Sequence, residues 1–164
     1  MSRVFVSLGS NIDRETNTRA GIQALQEHYG ELQLSSVYES EAVGFEGDNF
    51  FNMVIAFDTE EDVKQVATRL REIEASHGRD RNGPRFSSRT LDLDLLLFDD
   101  LVMHEPGVQI PRDEILKRAF VLWPLAEIAP QLKHPQEHIT YAELWQAFDK
   151  SREILKPVPF SFSL

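Results

Sequence analysis

The sequence contains no cysteine, which removes disulfides, thiolate metal sites and cysteine nucleophiles from consideration and gives no hint of secretion. Long apolar runs are absent as well. The longest, Ala119 to Ala126, contains Pro124 and falls far short of the roughly 20 residues a membrane-spanning helix needs, so no membrane partner is expected. Positive charge is scarce: 17 Lys and Arg stand against 27 Asp and Glu, a net charge of −10. Neutralising a nucleic-acid backbone takes an excess of cations, so no nucleic-acid partner is expected either. The opening Met1-Ser2-Arg3-Val4-Phe5 runs straight into a strand pattern without a signal-peptide layout, and a cytoplasmic location is expected. The sequence has no G-x-x-x-x-G-K-[ST], no G-x-G-x-x-G, no repeat and no low-complexity linker, so a nucleotide site here is neither a P-loop nor a Rossmann site.

What is present suits one domain spanning residues 1–164, with 41% apolar residues and 11 Phe to fill a core. Val4, Val6 and Leu8 alternate with their neighbours and predict a strand over 3–8, broken by Gly9-Ser10-Asn11. Arg14 to Tyr29 reads as a helix stopped by Gly30. Residues 31–43 read as extended, with Leu32, Leu34, Ser36 and Tyr38 on one face, and Gly44 to Asn49 as a loop. Phe51 to Asp58 is a third strand. Thr59, with Asp62 three residues on, opens a helix that carries Val63, Val66, Ala67, Leu70 and Ile73 at helical spacing. A polar loop over 77–90 leads into a fourth strand, Leu91 to Phe98, and a short strand near Leu101–Met103. Short helices are expected near Glu114–Leu116, Val121–Ile128 and Tyr141–Phe148, and Pro157 and Pro159 mark a loosely held tail. The order predicts an α+β, ferredoxin-like βαββαβ core: a mostly antiparallel sheet with helices on one face, plus a short hairpin and C-terminal helices.

Two features carry chemistry. In Thr90-Leu91-Asp92-Leu93-Asp94-Leu95 the leucines share one strand face and the aspartates the other, with Cα atoms roughly 6.6 Å apart. Aspartate packs poorly in strands, and two on one face repel. A cation between them reverses that penalty, and magnesium favours a few carboxylates with phosphate and water. Directly before them, Arg79, Arg81, Arg85 and Arg89 fall in a Gly/Pro/Ser-rich loop. Guanidinium groups bind phosphate through paired hydrogen bonds, and phosphoryl transfer requires chiefly positioning and charge neutralisation. Taken alone, each feature also fits a solvated acidic strand or a charged surface loop. His134 and His138 are four apart, but Pro135 argues against one helix presenting both to a metal.

Together with Leu8-Gly9-Ser10-Asn11, Phe50-Phe51-Asn52, Gly78-Arg79, Arg118-Ala119-Phe120-Val121-Leu122-Trp123-Pro124-Leu125 and Glu127-Ile128-Ala129-Pro130, the segment Arg89 to Leu96 resembles the 6-hydroxymethyl-7,8-dihydropterin pyrophosphokinases of folate biosynthesis. The motifs follow the family order over residues 3–130. The resemblance implies ATP as co-substrate, two magnesium ions, attack of the pterin hydroxymethyl oxygen on the β-phosphorus, and release of AMP, by a protein expected to be a monomer. It implies that Asp92 and Asp94 hold metal and that Arg79 and Arg89 contact phosphates. Glu74, Arg81, Phe86, Arg112 and Arg118 would join Arg79 and Arg89 at the ATP site. Ser40, Val43, Phe50, Asn52 and Phe120 would form the pterin pocket.

The chain departs from the family pattern at several positions. Glu41-Ala42 stands for Pro-Pro, Phe50 for Tyr, Phe86-Ser87-Ser88 for Trp-Gly-Pro, Gln109 for Thr, Gly107 for Arg and Arg71 for Gln. Arg112-Asp113 replaces a His and an aromatic residue. Arg112 is expected to take over a phosphate contact, and Asp113 to need Arg112 or Arg118 as a partner. The open alternatives are a divergent relative acting on another pterin or small alcohol, and a non-catalytic ligand-binding protein on the same scaffold.

Overall fold

The computed structural model describes residues 1–41, 48–77 and 91–162. Strand β1 (Ser2–Ser10) leads into helix α1 (Arg14–Tyr29), then β2 (Gln33–Leu34), β3 (Val37–Ser40) and β4 (Phe50–Thr59). Helix α2 (Val63–Ser76) and strand β5 (Asp92–Phe98) complete the βαββαβ unit. With β8 formed by Leu155–Val158, the sheet runs β5-β1-β4-β3-β8, with β2 also on β4, and every pairing is antiparallel. The hairpin of β6 (Met103–Glu105) and β7 (Val108–Ile110) is separate, and β6 begins at Met103, where the strand predicted over Leu101–Met103 ends. Helices α3 (Glu114–Lys117), α4 (Ala119–Ile128) and α5 (Tyr141–Ala147) follow.

The alternation of β1, β4 and β5 explains two cores. Val4, Val6, Leu8, Met53, Ile55, Phe57, Leu91 and Leu93 meet Ile22 and Leu25 of α1 and Val66, Leu70 and Ile73 of α2. Phe5, Val54, Ala56, Leu96 and Leu97 meet Val121, Leu122 and Leu125 of α4 and Tyr141 of α5. Helices therefore cover both faces, where the sequence pattern predicts one; the second cover comes from the strongly apolar α4. Gly21 lets α1 lie close, since a Cβ there would stand 2.9 Å from methyls of Leu8 and Leu91.

Four local expectations are corrected. Gly9 and Ser10 do not break β1: both pair with β4, opposite Asn52 and Phe51. Leu34 pairs with Ile55, whereas Tyr38 pairs with Asn52; four residues on one side span three on the other. The extra residue lies at Ser35–Ser36, where the Ser35 hydroxyl accepts from the Val54 N–H at 2.9 Å. Leu32 and Leu34 consequently pack with α1 and α2, and Tyr38 turns to the opposite face, against Trp123 of α4. Helix α2 is opened by Asp62, not Thr59: the Asp62 carboxylate accepts from Gln65 N, and the Gln65 side chain accepts from Asp62 N, both at 2.8 Å. Finally, the tail is held. Strand β8 (Leu155–Val158) adds to β3, with Pro157 at the sheet edge where its missing N–H costs nothing, and Phe160 packs on Phe51.

Candidate functional site

The sheet face toward α4 is apolar except at one end. There the registers place Asp92 opposite Gly9, Gly9 opposite Asn52, and Asn52 opposite Tyr38. Directly opposed residues point to one face, so Asp92, Gly9, Asn52 and Tyr38 form a row across four strands. Asp94 lies in the next row with Ser7, and Phe50 pairs with Ser40 beyond Asn52. Phe120, in the first turn of α4, is half-buried on the same side of the sheet, and Arg118 caps that helix.

Gly9 is the residue that sequence reading undervalues. A Cβ built on it would lie 3.4 Å from Asn52 Oδ1 and 3.7 Å from Phe50 Cδ1. The missing side chain leaves a notch between Asp92 and Asn52, floored by backbone. The signal for it is a glycine continuing the Val4-Val6-Leu8 strand, which register alone reveals. Asn52 is buried, and its amide nitrogen donates to Ser40 Oγ at 2.6 Å. Ser40 and Asn52 thus fix each other, as a buried amide requires.

Glu74 and Arg112 approach from the outer edge of β5. Glu74 is fully buried, and its carboxylate accepts the Leu93 N–H at 2.8 Å, satisfying a donor of the edge strand. Between Val6 and Phe5 the β1–β5 register skips Leu96. The Leu96 carbonyl instead accepts the Arg112 N–H at 3.1 Å, which brings Arg112 beside the aspartates. Its Nε donates to Glu114 Oε1 at 2.8 Å, and its Nη2 stands 3.5 Å from Asp94 Oδ1. Burial alone would lower the Arg112 pKa, but the carboxylates of Asp94 and Glu114 more than reverse this and hold it above the ordinary arginine value; the group stays charged. Asp113 does not partner Arg112 or Arg118. It is exposed and lies 3.8 Å from Lys117.

The structure therefore brings Ser40, Phe50, Asn52, Asp92 and Asp94 to one face, with Glu74 and Arg112 at its edge and Phe120 and Arg118 on the covering helix. Val43, Arg79, Arg81, Phe86 and Arg89 lie outside the described residues. His134 is buried, and its Nδ1 accepts from Gln136 N and Glu137 N, both at 3.1 Å, a turn-closing role distant in sequence from the aspartates. Among the described residues no group of three or more His, Asp or Glu could hold a metal by itself, so a cation at Asp92 and Asp94 would need ligands beyond these groups.

The model of the 7,8-dihydro-6-hydroxymethylpterin-pyrophosphokinase (HPPK) family matches residues 5–130. The 2-amino-4-hydroxy-6-hydroxymethyldihydropteridine pyrophosphokinase of Aquifex aeolicus is 34% identical over 137 residues, 82% of this chain and 85% of its own. That of Pseudomonas aeruginosa is 37% identical over 142 residues, again 82% and 85%. Among solved structures, a Plasmodium falciparum HPPK-DHPS triple mutant with pteroate superposes with a TM-score of 0.69 at 13% identity, covering 88% of this chain. An HPPK-DHPS in complex with substrates gives 0.71 at 12% identity over 92%. This chain spans 43% and 44% of those two longer chains, and at such identity the likeness concerns the fold.

Proposed function

This chain belongs to the 7,8-dihydro-6-hydroxymethylpterin-pyrophosphokinase family, and from that premise we propose that it transfers diphosphate from ATP to the hydroxymethyl group of 6-hydroxymethyl-7,8-dihydropterin. The hydroxymethyl oxygen attacks the β-phosphorus and loses its proton, the bond from that phosphorus to the α-phosphate oxygen breaks, and AMP leaves. The observation that carries this reading is the row Asp92–Gly9–Asn52, which sets a carboxylate and a polar amide on either side of a notch in one sheet face.

Each residue then has a chemical task. Asn52 offers an amide to the polar edge of a flat heterocycle, held in its orientation by Ser40. Phe50 and Phe120 supply aromatic walls. Asp92 and Asp94 would hold magnesium: two carboxylates on one face suit a hard cation, and a guanidinium already stands beside Asp94. When bound, the metal would neutralise phosphate charge. Arg112, Arg118 and the arginines of 79–89 would bind the triphosphate. Glu74 acts through the strand, fixing the backbone between the two aspartates.

Incubating the protein with ATP, magnesium and the pterin, followed by chromatography of the nucleotides, tests this reading. AMP formed in step with pterin diphosphate supports it. Pterin-independent ATP loss, or none, would favour a divergent relative or a binding protein.

A further inference from the structure

Arg112 reaches the aspartates on a short tether. Its backbone N–H is committed to Leu96 O at 3.1 Å, so its Cα is pinned beside β5, two residues along from Asp94. From there the guanidinium spans two carboxylates unequally. The Nε bond to Glu114 is short, at 2.8 Å, and the Nη2 contact with Asp94 is longer, at 3.5 Å. Asp94 is only 17% exposed and Glu114 34%, so water screens the Asp94 charge less. The planar guanidinium thus holds one carboxylate through Nε and faces another with a terminal nitrogen.

We propose that Arg112 is a built-in counter-cation: it neutralises Asp94 while no divalent ion is bound, and on loading of metal and nucleotide it releases Asp94, keeps Glu114 and turns its terminal nitrogens to phosphate. The proposal rests on the reading of Asp92 and Asp94 as a metal pair. A divalent ion arriving alone has to displace a guanidinium that gains nothing in return. An ion arriving with a triphosphate provides the displaced guanidinium with a new anion. Metal and nucleotide binding are thereby coupled through Arg112, and coupling of this kind acts in both directions.

The test is titration with Mn2+ as the probe, followed by electron paramagnetic resonance of the free ion, with and without a non-hydrolysable ATP analogue. Arg112→Gln is expected to bind Mn2+ alone more tightly, on the order of fivefold, as removal of a nearby like charge at a partly screened site implies. It is also expected to show a smaller gain in Mn2+ affinity when the analogue is added. Glu114→Gln frees Arg112 to lean on Asp94 and is expected to weaken Mn2+ binding in the absence of nucleotide. Unchanged or weaker Mn2+ binding by Arg112→Gln, while Asp94→Asn lowers it, would overturn the counter-cation role alone. Unchanged binding by Asp94→Asn would overturn the metal-pair reading and this proposal with it.

Discussion

Asp94 and Gly9 illustrate two opposite kinds of functional residue, one conspicuous and one not. An aspartate in a leucine strand violates strand preference, and its neighbours Leu93 and Leu95 keep packing whatever replaces it. Asp94→Ala is expected to lower turnover at least a hundredfold at saturating magnesium, because few protein groups share the proposed metal, with unchanged far-UV circular dichroism. Turnover near wild type would remove Asp94 from the metal site. Gly9, by contrast, looks like a strand breaker in sequence and gains meaning only from its position between Asp92 and Asn52. A Cβ at Gly9 meets its neighbours at ordinary contact distance, so a small side chain is compatible with folding but intrudes on the notch. Gly9→Val is expected to raise the KM for the pterin about tenfold or more, as overfilling a shaped site does, and to leave the KM for ATP within about twofold. Equal rises in both would place the notch outside the pterin pocket.

Elements were legible where one force dominates. The first two helices follow from apolar spacing and from Gly30, whose φ of 80° closes α1. The paired aspartates were legible because a strand alternates. What was not legible depends on partners distant in sequence: the face switch at Ser35–Ser36 is set by β4, and β8 exists because β3 offers an open edge that tolerates Pro157. The turn at His134 is another such element. Its buried imidazole must remain neutral for Nδ1 to accept two backbone N–H groups, and burial lowers its pKa below the ordinary 6.5. The folded state therefore binds this proton less readily than the unfolded chain does. The stabilisation is fully present above about pH 6.5 and is lost as pH falls below that value toward the lowered folded pKa. Thermal unfolding from about pH 7.5 to about pH 5 should show Tm falling in the wild type. In His134→Gln, Tm should be lower at the upper pH but less sensitive to acid. Parallel curves for the two proteins would show that His134 does not titrate on unfolding.

At the scale of the whole molecule, one face of the sheet builds stability and the other carries chemistry at one end. Helices α1 and α2 seal the first face. Helix α4 covers the apolar part of the second, with Phe120 in its first turn and Arg118 at its N-cap. A chain with net charge −10 can still serve a polyanionic substrate through local positive charge, here the Arg112 guanidinium beside Asp94. Diphosphate transfer in a single step separates this protein from an ordinary kinase. The direct measurement uses ATP radiolabelled at the β-phosphorus with the pterin and magnesium, followed by chromatographic separation of the products and counting of each. The label is expected in a pterin diphosphate, with one AMP accompanying each. Label retained in ADP beside a pterin monophosphate would contradict diphosphate transfer.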